Sequence, residues 1–240
     1  MELLNNIVAN IKPLDEKTIK DASNRLDNLI KPIGSLGRLE GIAIRIAGIK
    51  GKVNNHVPKK CLVVMASDNG VCEEGVSTSP QAVTALQAVS MTKGLAGISV
   101  LCRQACSDVK VVDIGIKEDY DCKDIINMKI RKGTWNISKR SAMTRDEAIK
   151  AIESGIRIIE GLVQEGYDVI GTGEMGIGNT SSSSAIIMSF TGCSPEQAVG
   201  KGTGLTEEGF INKKYIIKRA IEINKPDKND PIDVLAKVGG

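Results

Sequence analysis

Aromatic residues are almost missing from this chain: one Trp, three Tyr and two Phe make up 2% of its 240 residues. So few rings leave nothing on which the bases of a nucleic-acid strand stack. Charge of one sign is missing too, because 32 Lys and Arg are interspersed with 29 Asp and Glu for a net +3. There is no basic stripe for a phosphate backbone, and no nucleic-acid partner is expected. The single histidine is His56, and the six cysteines (Cys61, Cys72, Cys102, Cys106, Cys122 and Cys193) contain no CxxC pair. That spacing excludes a zinc site, so no metal and no cofactor are expected. No apolar run approaches a membrane span, and residues 1–12 carry an early glutamate where a secretory or transit segment has a long apolar stretch. These absences predict a reduced, cytoplasmic, globular protein with no membrane partner.

What is present is 41% apolar residues in a chain long enough to bury a large core. Ile19, Ala22, Leu26, Leu29 and Ile30 fall at helical spacing, and Lys31-Pro32 ends the run. Gly34-Ser35 is expected to start a second helix with Leu39, Ile42, Ile46 and Ile49 along one side. With no strand between them, residues 1–50 read as a small helical subdomain and residues 51–240 as the main domain. In the main domain strands at 61–66 (CLVVMA), 109–114 (VKVVDI) and 167–170 (YDVI) alternate with helices. This pattern predicts an α/β, Rossmann-like, mainly parallel sheet with crossover helices. Ser79 and Pro80 suit the N-cap and first turn of a helix carrying Gln87, and Thr144 with Glu147 forms a capping box for a long helix through Leu162. Further helices are expected over 98–106 and 206–223.

The densest chemistry lies in GTGEMGIGNTSSSSA, residues 171–185, a glycine-rich segment between the third strand and a helix. If Asn179, Thr180 and Ser181 surround that helix's N-terminus, free N–H groups and the positive dipole end point out of the fold toward an anion, most often a phosphate. Glu174, in the same segment, is a carboxylate that a plain phosphate cradle does not need. Gly171, Gly173 and Gly176 spell GxGxxG, but Glu196 sits in a helix-start sequence where a dinucleotide site wants the tip of a second strand. Gly178-Asn179-Thr180 also lacks the lysine of a Walker A loop. Ligands of open parallel sheets sit beyond the carboxyl ends of the strands, so loops at Asp68-Asn69-Gly70, Asp113-Ile114-Gly115 and Gly173-Glu174 are expected to line one cleft.

Four blocks, in order, resemble the nicotinate-nucleotide–dimethylbenzimidazole phosphoribosyltransferases of cobalamin lower-ligand assembly. LDNLIKPIGSLGRLE (26–40) is similar to the family's KPPGSLGRLE block, with Ile33 in place of the second proline; SDNGVCEEGVSTSPQAVT (67–84), GEMGIGNT (173–180) and GKGTGL (200–205) follow. The resemblance implies transfer of phosphoribose from nicotinate mononucleotide to a nitrogen of 5,6-dimethylbenzimidazole, with inversion at the anomeric carbon, by a protein that is usually a homodimer. It implies a phosphate held by Gly176, Gly178, Asn179, Thr180, Gly202, Thr203, Gly204 and Lys213, with Lys214 as a neighbouring alternative. Ser79, Gln87 and Met175 would line the aromatic-base pocket, and Glu174 would lie beside the reacting centre. Other acceptors, phenols or purines, stay open. The family's own base is a glutamate in an RxGEGxGA segment that has no counterpart in these 240 residues. The resemblance therefore implies a fragment or a subunit completed by a partner. It predicts a severe rate defect, of the order of 10²- to 10⁴-fold for a lost general base, without requiring a loss of binding. A non-catalytic nucleotide-binding subunit is the alternative from another class.

Overall fold

Residues 1–240 are all described in a computed structural model, as two compact units, Glu2–Pro58 and Lys59–Gly240 with Met1. The smaller unit holds α1 (Glu2–Ala9), α2 (Glu16–Asp27) and α3 (Arg38–Lys50). Asp15 caps α2 by accepting the Thr18 N–H at 2.9 Å, a bond that holds its carboxyl below the usual range. Helices α2 and α3 meet through buried Ala22, Ala47 and Gly48; a side chain at Gly48 would come within 2.6 Å of Ile19. Helix α3 begins at Arg38 and not at Gly34-Ser35, because Gly34 (φ +74°) and Gly37 (φ +55°) turn the chain with a backbone that no right-handed helix contains. Ile30, Ile33, Leu36, Leu39 and Ile42 of this unit stay exposed.

The larger unit is built on four parallel strands, β1 (Lys60–Ser67), β2 (Asp108–Gly115), β3 (Ile125–Asn127) and β4 (Val169–Met175), in the order β3-β2-β1-β4. The α/β architecture is the one the alternating pattern predicts. Side chains alternate across the sheet with the strand period of two. Ala66, Val111 and Ile125 face Ala85 and Ala88 of α4 (Val83–Thr92), whereas Cys61, Val63 and Val112 pack with Leu162 of α6 (Arg145–Gln164). Helices therefore cover both faces, as parallel strands buried on both sides require. A separate cluster, with Ala185, Met188, Ile216, Ile217, Val234 and Val238, packs α7 (Asn179–Thr191), α9 (Glu207–Asn224) and α10 (Pro231–Val238) together.

Several local expectations change. Strand β4 starts at Val169 and continues through Met175, paired with β1 from Lys60↔Val169 to Ala66↔Met175. Gly171 and Gly173 thus belong to a strand and not to a loop; a side chain at Gly171 would meet Leu62 at 2.7 Å. The glycine turn of a dinucleotide fingerprint is accordingly not formed. Helix α4 starts at Val83, preceded by turns closed by Val83 N–H to Pro80 O and Thr84 N–H to Gln81 O, so Ser79 is not its N-cap. The three-residue β3 has too little pattern to be seen in sequence. Contrary to the expectation of no membrane-length run, Val83–Gln104 is long and apolar enough, at mean hydropathy 1.3, to match one. It folds as two helices, α4 and α5 (Gly97–Gln104), broken at Lys93 and at Gly94 with φ +76°, and each is too short to cross a bilayer. Cys102 is buried in α5, whereas Cys106 is exposed just beyond it at φ +50°.

Polar groups anchor the loops at the sheet's carboxyl edge. Asp113, fully buried at the end of β2, accepts the Ile116 N–H at 2.8 Å and the Tyr120 hydroxyl at 2.6 Å, and pairs with Lys129 at 3.1 Å. Burial, first, and the bond to Asp113 push the Tyr120 hydroxyl pKa up. Trp135 lies between the guanidinium groups of Arg131 and Arg140, 3.9 and 4.0 Å from its ring. Helix α6 opens on the capping box expected of Thr144 and Glu147. Replacing Thr144 by Ala is expected to lower unfolding free energy by about 1 kcal/mol, read from denaturant midpoints at unchanged m-value.

Candidate active site

Strands β2 and β3 lie on one side of β1 and β4 on the other. The carboxyl ends of β1 and β4 thus sit at the point where the winding of the sheet reverses, the place where open α/β sheets open a crevice. From β1 the chain runs into Asp68 and Asn69; from β4 it runs through Gly176, Ile177 and Gly178 into α7. The two exits are stitched together. Buried Asn69 donates through Nδ2 to the Ile177 carbonyl at 3.1 Å and accepts the Ser182 hydroxyl at 3.3 Å. The Ile177 N–H donates to the Thr84 hydroxyl at 3.1 Å, and the Cys72 thiol donates to the Ile177 carbonyl. Burial pushes that thiol up to about 11, so it stays neutral. A side chain at Gly176 would collide with the Ser67 carbonyl, and Gly178 sits at φ +84° against Cys72. Only glycine fits both positions.

Two cavities flank this turn and share Met175 and Asn179. The first, about 360 Å³, is lined by Gly176, Thr180, Gly202, Thr203 and Lys213, with Ser77 at its edge. Lys213 is 1% exposed, and its ammonium donates at 2.7 Å to the Thr180 hydroxyl, with no carboxylate beside it. Burial holds its pKa below the ordinary lysine value. An ammonium buried with one neutral partner keeps donors to spare for an anion. The expected free N–H groups at the start of α7 are, by contrast, already engaged: Asn179 N–H with Gly176 O, Thr180 N–H with Asn179 Oδ1 and Ser181 N–H with Gly178 O. The donors that remain are in the second glycine cluster, where the N–H groups of Gly202, Thr203 and Gly204 have no partner. Positive φ at Gly202 (+61°) and Gly204 (+86°) on either side of Thr203 gives the alternating backbone of an anion-binding nest. Thr203 ties this loop back to Ser77 and Thr78 through hydrogen bonds of 2.9–3.3 Å.

The second cavity, about 160 Å³, is lined by Met65, Asn69, Ile114, Glu174, Ser182 and Ile186 among others. Glu174 is exposed at the end of β4 and not sequestered in a loop. Its Oε1 accepts from Asn179 Nδ2 at 2.6 Å, and Oε2 has no partner.

A profile described as "Phosphoribosyltransferase" matches residues 11–240. The chain belongs to this family. It is 55% identical over 240 residues to the nicotinate-nucleotide–dimethylbenzimidazole phosphoribosyltransferase of Clostridium tetani, covering 100% of this chain and 66% of that one. It is 54% identical over 233 residues to the protein of the same name from Ruminiclostridium cellulolyticum, covering 97% and 66%. The crystal structure of CobT from Thermus thermophilus superposes with a TM-score of 0.88 at 35% identity, covering 93% of this chain and 67% of that one. The chain spans about two thirds of the length of the relatives it matches.

The structure brings Gly176, Gly178, Asn179, Thr180, Gly202, Thr203 and Lys213 to one cavity, with Gly204 in the adjoining loop. Glu174 and Met175 stand at the neighbouring cavity. Ser79 and Gln87 line neither: Ser79 is half-buried in the loop before α4, and Gln87 is exposed on it. Lys214 is not among the lining residues and lies 4.3 Å from the Phe210 ring. Of the three loops expected to converge, Asn69, Ile114 and Glu174 do so, whereas Asp68 and Asp113 are fully buried and line neither cavity. Asn69, Thr84 and Ser182 are the functional scaffold that sequence reasoning missed; for Asn69 the signal was its place in the loop already singled out.

Asp68 is fully buried, with Oδ2 accepting the Lys117 N–H at 2.8 Å and Oδ1 unpartnered. Burial raises its pKa above the carboxylate value, opposed first by the Lys117 N–H. A raised folded pKa means that the native state holds this proton more tightly than the unfolded chain does. Stability from this group is full below about pH 4 and falls as pH climbs toward the raised folded value. Asp68→Asn is expected to flatten that part of the profile, measured as urea midpoints from about pH 3.5 to about pH 7.

Proposed function

We propose that this chain carries the phosphoribosyl-transfer site for nicotinate mononucleotide and a 5,6-dimethylbenzimidazole-type base, giving α-ribazole 5′-phosphate and nicotinate. The observation that carries the reading is the buried Lys213 ammonium, held clear of any carboxylate, facing a glycine nest one shared wall away from the free Glu174 oxygen. The 5′-phosphate sits against Lys213 and the N–H groups of residues 202–204, where a dianion gains charge-assisted hydrogen bonds. That anchorage points the sugar toward Met175 and Glu174. The bond from the anomeric carbon to the nicotinate nitrogen breaks, and nicotinate leaves with the bonding pair. The acceptor nitrogen forms the new bond from the opposite face, which inverts the carbon, and the azole proton passes to Glu174 or to solvent.

The names of the relatives support the substrates, and the apolar lining of the second cavity supports an aromatic acceptor. Operation in the cytoplasm is supported by six cysteines without a disulfide, and a homodimer by the exposed Ile30, Ile33, Leu36 and Leu39 of the smaller unit. The test is release of nicotinate from nicotinate mononucleotide plus dimethylbenzimidazole; no release by the chain, nor by a version extended to the length of its relatives, overturns the reading. Lys213→Met is expected to weaken nicotinate mononucleotide binding roughly tenfold or more without lowering the melting temperature, since a buried ammonium gives way to an apolar side chain of similar length.

A further inference from the structure

Asn179 is the first residue of α7 and belongs to the wall between the two cavities. Both polar atoms of its side chain are spoken for inside the protein. Nδ2 donates to Glu174 Oε1 at 2.6 Å, and Oδ1 accepts the Thr180 N–H at 2.7 Å. The amide has one workable orientation. Reversed, it would set its oxygen against a carboxylate and its NH₂ against an N–H donor. Thr180 extends the line, because its hydroxyl accepts from the Lys213 ammonium at 2.7 Å. The links run from Lys213 to the Thr180 hydroxyl, and from the Thr180 N–H through the Asn179 amide to Glu174. The cation and the carboxylate of the site are thereby linked without pairing directly. A direct ion pair would neutralise both and leave neither for substrate.

We propose that Asn179 is a positioning residue: it fixes the Glu174 carboxylate by holding Oε1, so that the unpartnered Oε2 is presented to the reacting centre, and it ties that orientation to the helix turn beside the anion. This deepens the transfer reading given above and rests on it for the identity of the acceptor. It also separates Asn179 from the phosphate donors. With its amide committed to Glu174, the phosphate is left to Lys213 and the glycine nest. An exposed carboxylate at a strand end would otherwise sample several rotamers, and ordering it on binding costs affinity.

The experiment is a double-mutant cycle on the full chain, using Asn179→Ala, Glu174→Ala and the pair, with dimethylbenzimidazole and inorganic phosphate titrated separately by calorimetry. Asn179→Ala is expected to weaken dimethylbenzimidazole roughly tenfold in the parent and by less than about twofold in the Glu174→Ala background, with phosphate affinity changed less than about twofold in both. Equal losses in the two backgrounds, or a loss confined to phosphate, overturn the proposal. A ligand-free measurement decides it independently. The side-chain amide resonances of Asn179 in the ¹H–¹⁵N spectrum are expected to move when Glu174 becomes Gln and to exchange faster with water; unchanged resonances overturn the positioning role. Should the chain bind no dimethylbenzimidazole at all, the acceptor reading fails, and the amide spectrum still decides the role of Asn179.

Discussion

The parallel pairing of β4 with β1 is the constraint on which the rest depends. It runs in unbroken register to Met175 and then places Gly176 with its bare Cα against the Ser67 carbonyl. That approach brings Ile177 under Asn69, Thr84 and Cys72, whose three bonds to its peptide groups set the angle at which α7 leaves the sheet. Helix α7 then carries Asn179 to Glu174 and Thr180 to Lys213. A larger residue at Gly176 would separate the strand ends and move all four of these side chains at once. The site is thus a by-product of sheet geometry, with loops added to a rigid edge.

The electrostatics follow a division of labour. Carboxylates that would compete with an anion for the buried cation are used up in structure: Asp113 is consumed by Lys129, Tyr120 and the Ile116 N–H, and Glu73 and Glu74 by Lys139, Asn136 and Ser138. Lys201 is taken by Glu207. Lys213 alone is buried with only a hydroxyl for company, and desolvation is what such a group endures so that it keeps donors for an anion. Stability and ligand binding therefore pull in opposite directions at this residue.

Much of this was legible in the sequence where a local rule acted alone. Thr144 with Glu147 is a cap whose geometry is decided within four residues, and the helix expected over 206–223 is observed as Glu207–Asn224. Legibility failed where tertiary packing decided. Gly171 and Gly173 look like loop residues, but they lie in a strand that packs closely on Leu62. Ser79 has the composition of an N-cap, but the chain turns once more before α4. Lys213 carried a readable signal: it stands at i with Ile216, Ile217 and Ala220 at i+3, i+4 and i+7, on the buried stripe of α9, where a surface lysine has no place. Asn69 has no local pattern that sets it apart from the loop it shares with Asp68, because its bonds to Ile177 and Ser182 form only once β4 and α7 are in place.

Trp135 gives the molecule a built-in optical reporter. It is the only indole in the chain, gripped between two guanidinium groups, and its backbone lies against the bare Cα of Gly70 in the loop that leaves β1. A rearrangement of that loop changes the field at the ring, and no second indole dilutes the response. The emission spectrum of the unlabelled protein therefore monitors one wall of the crevice from inside the fold.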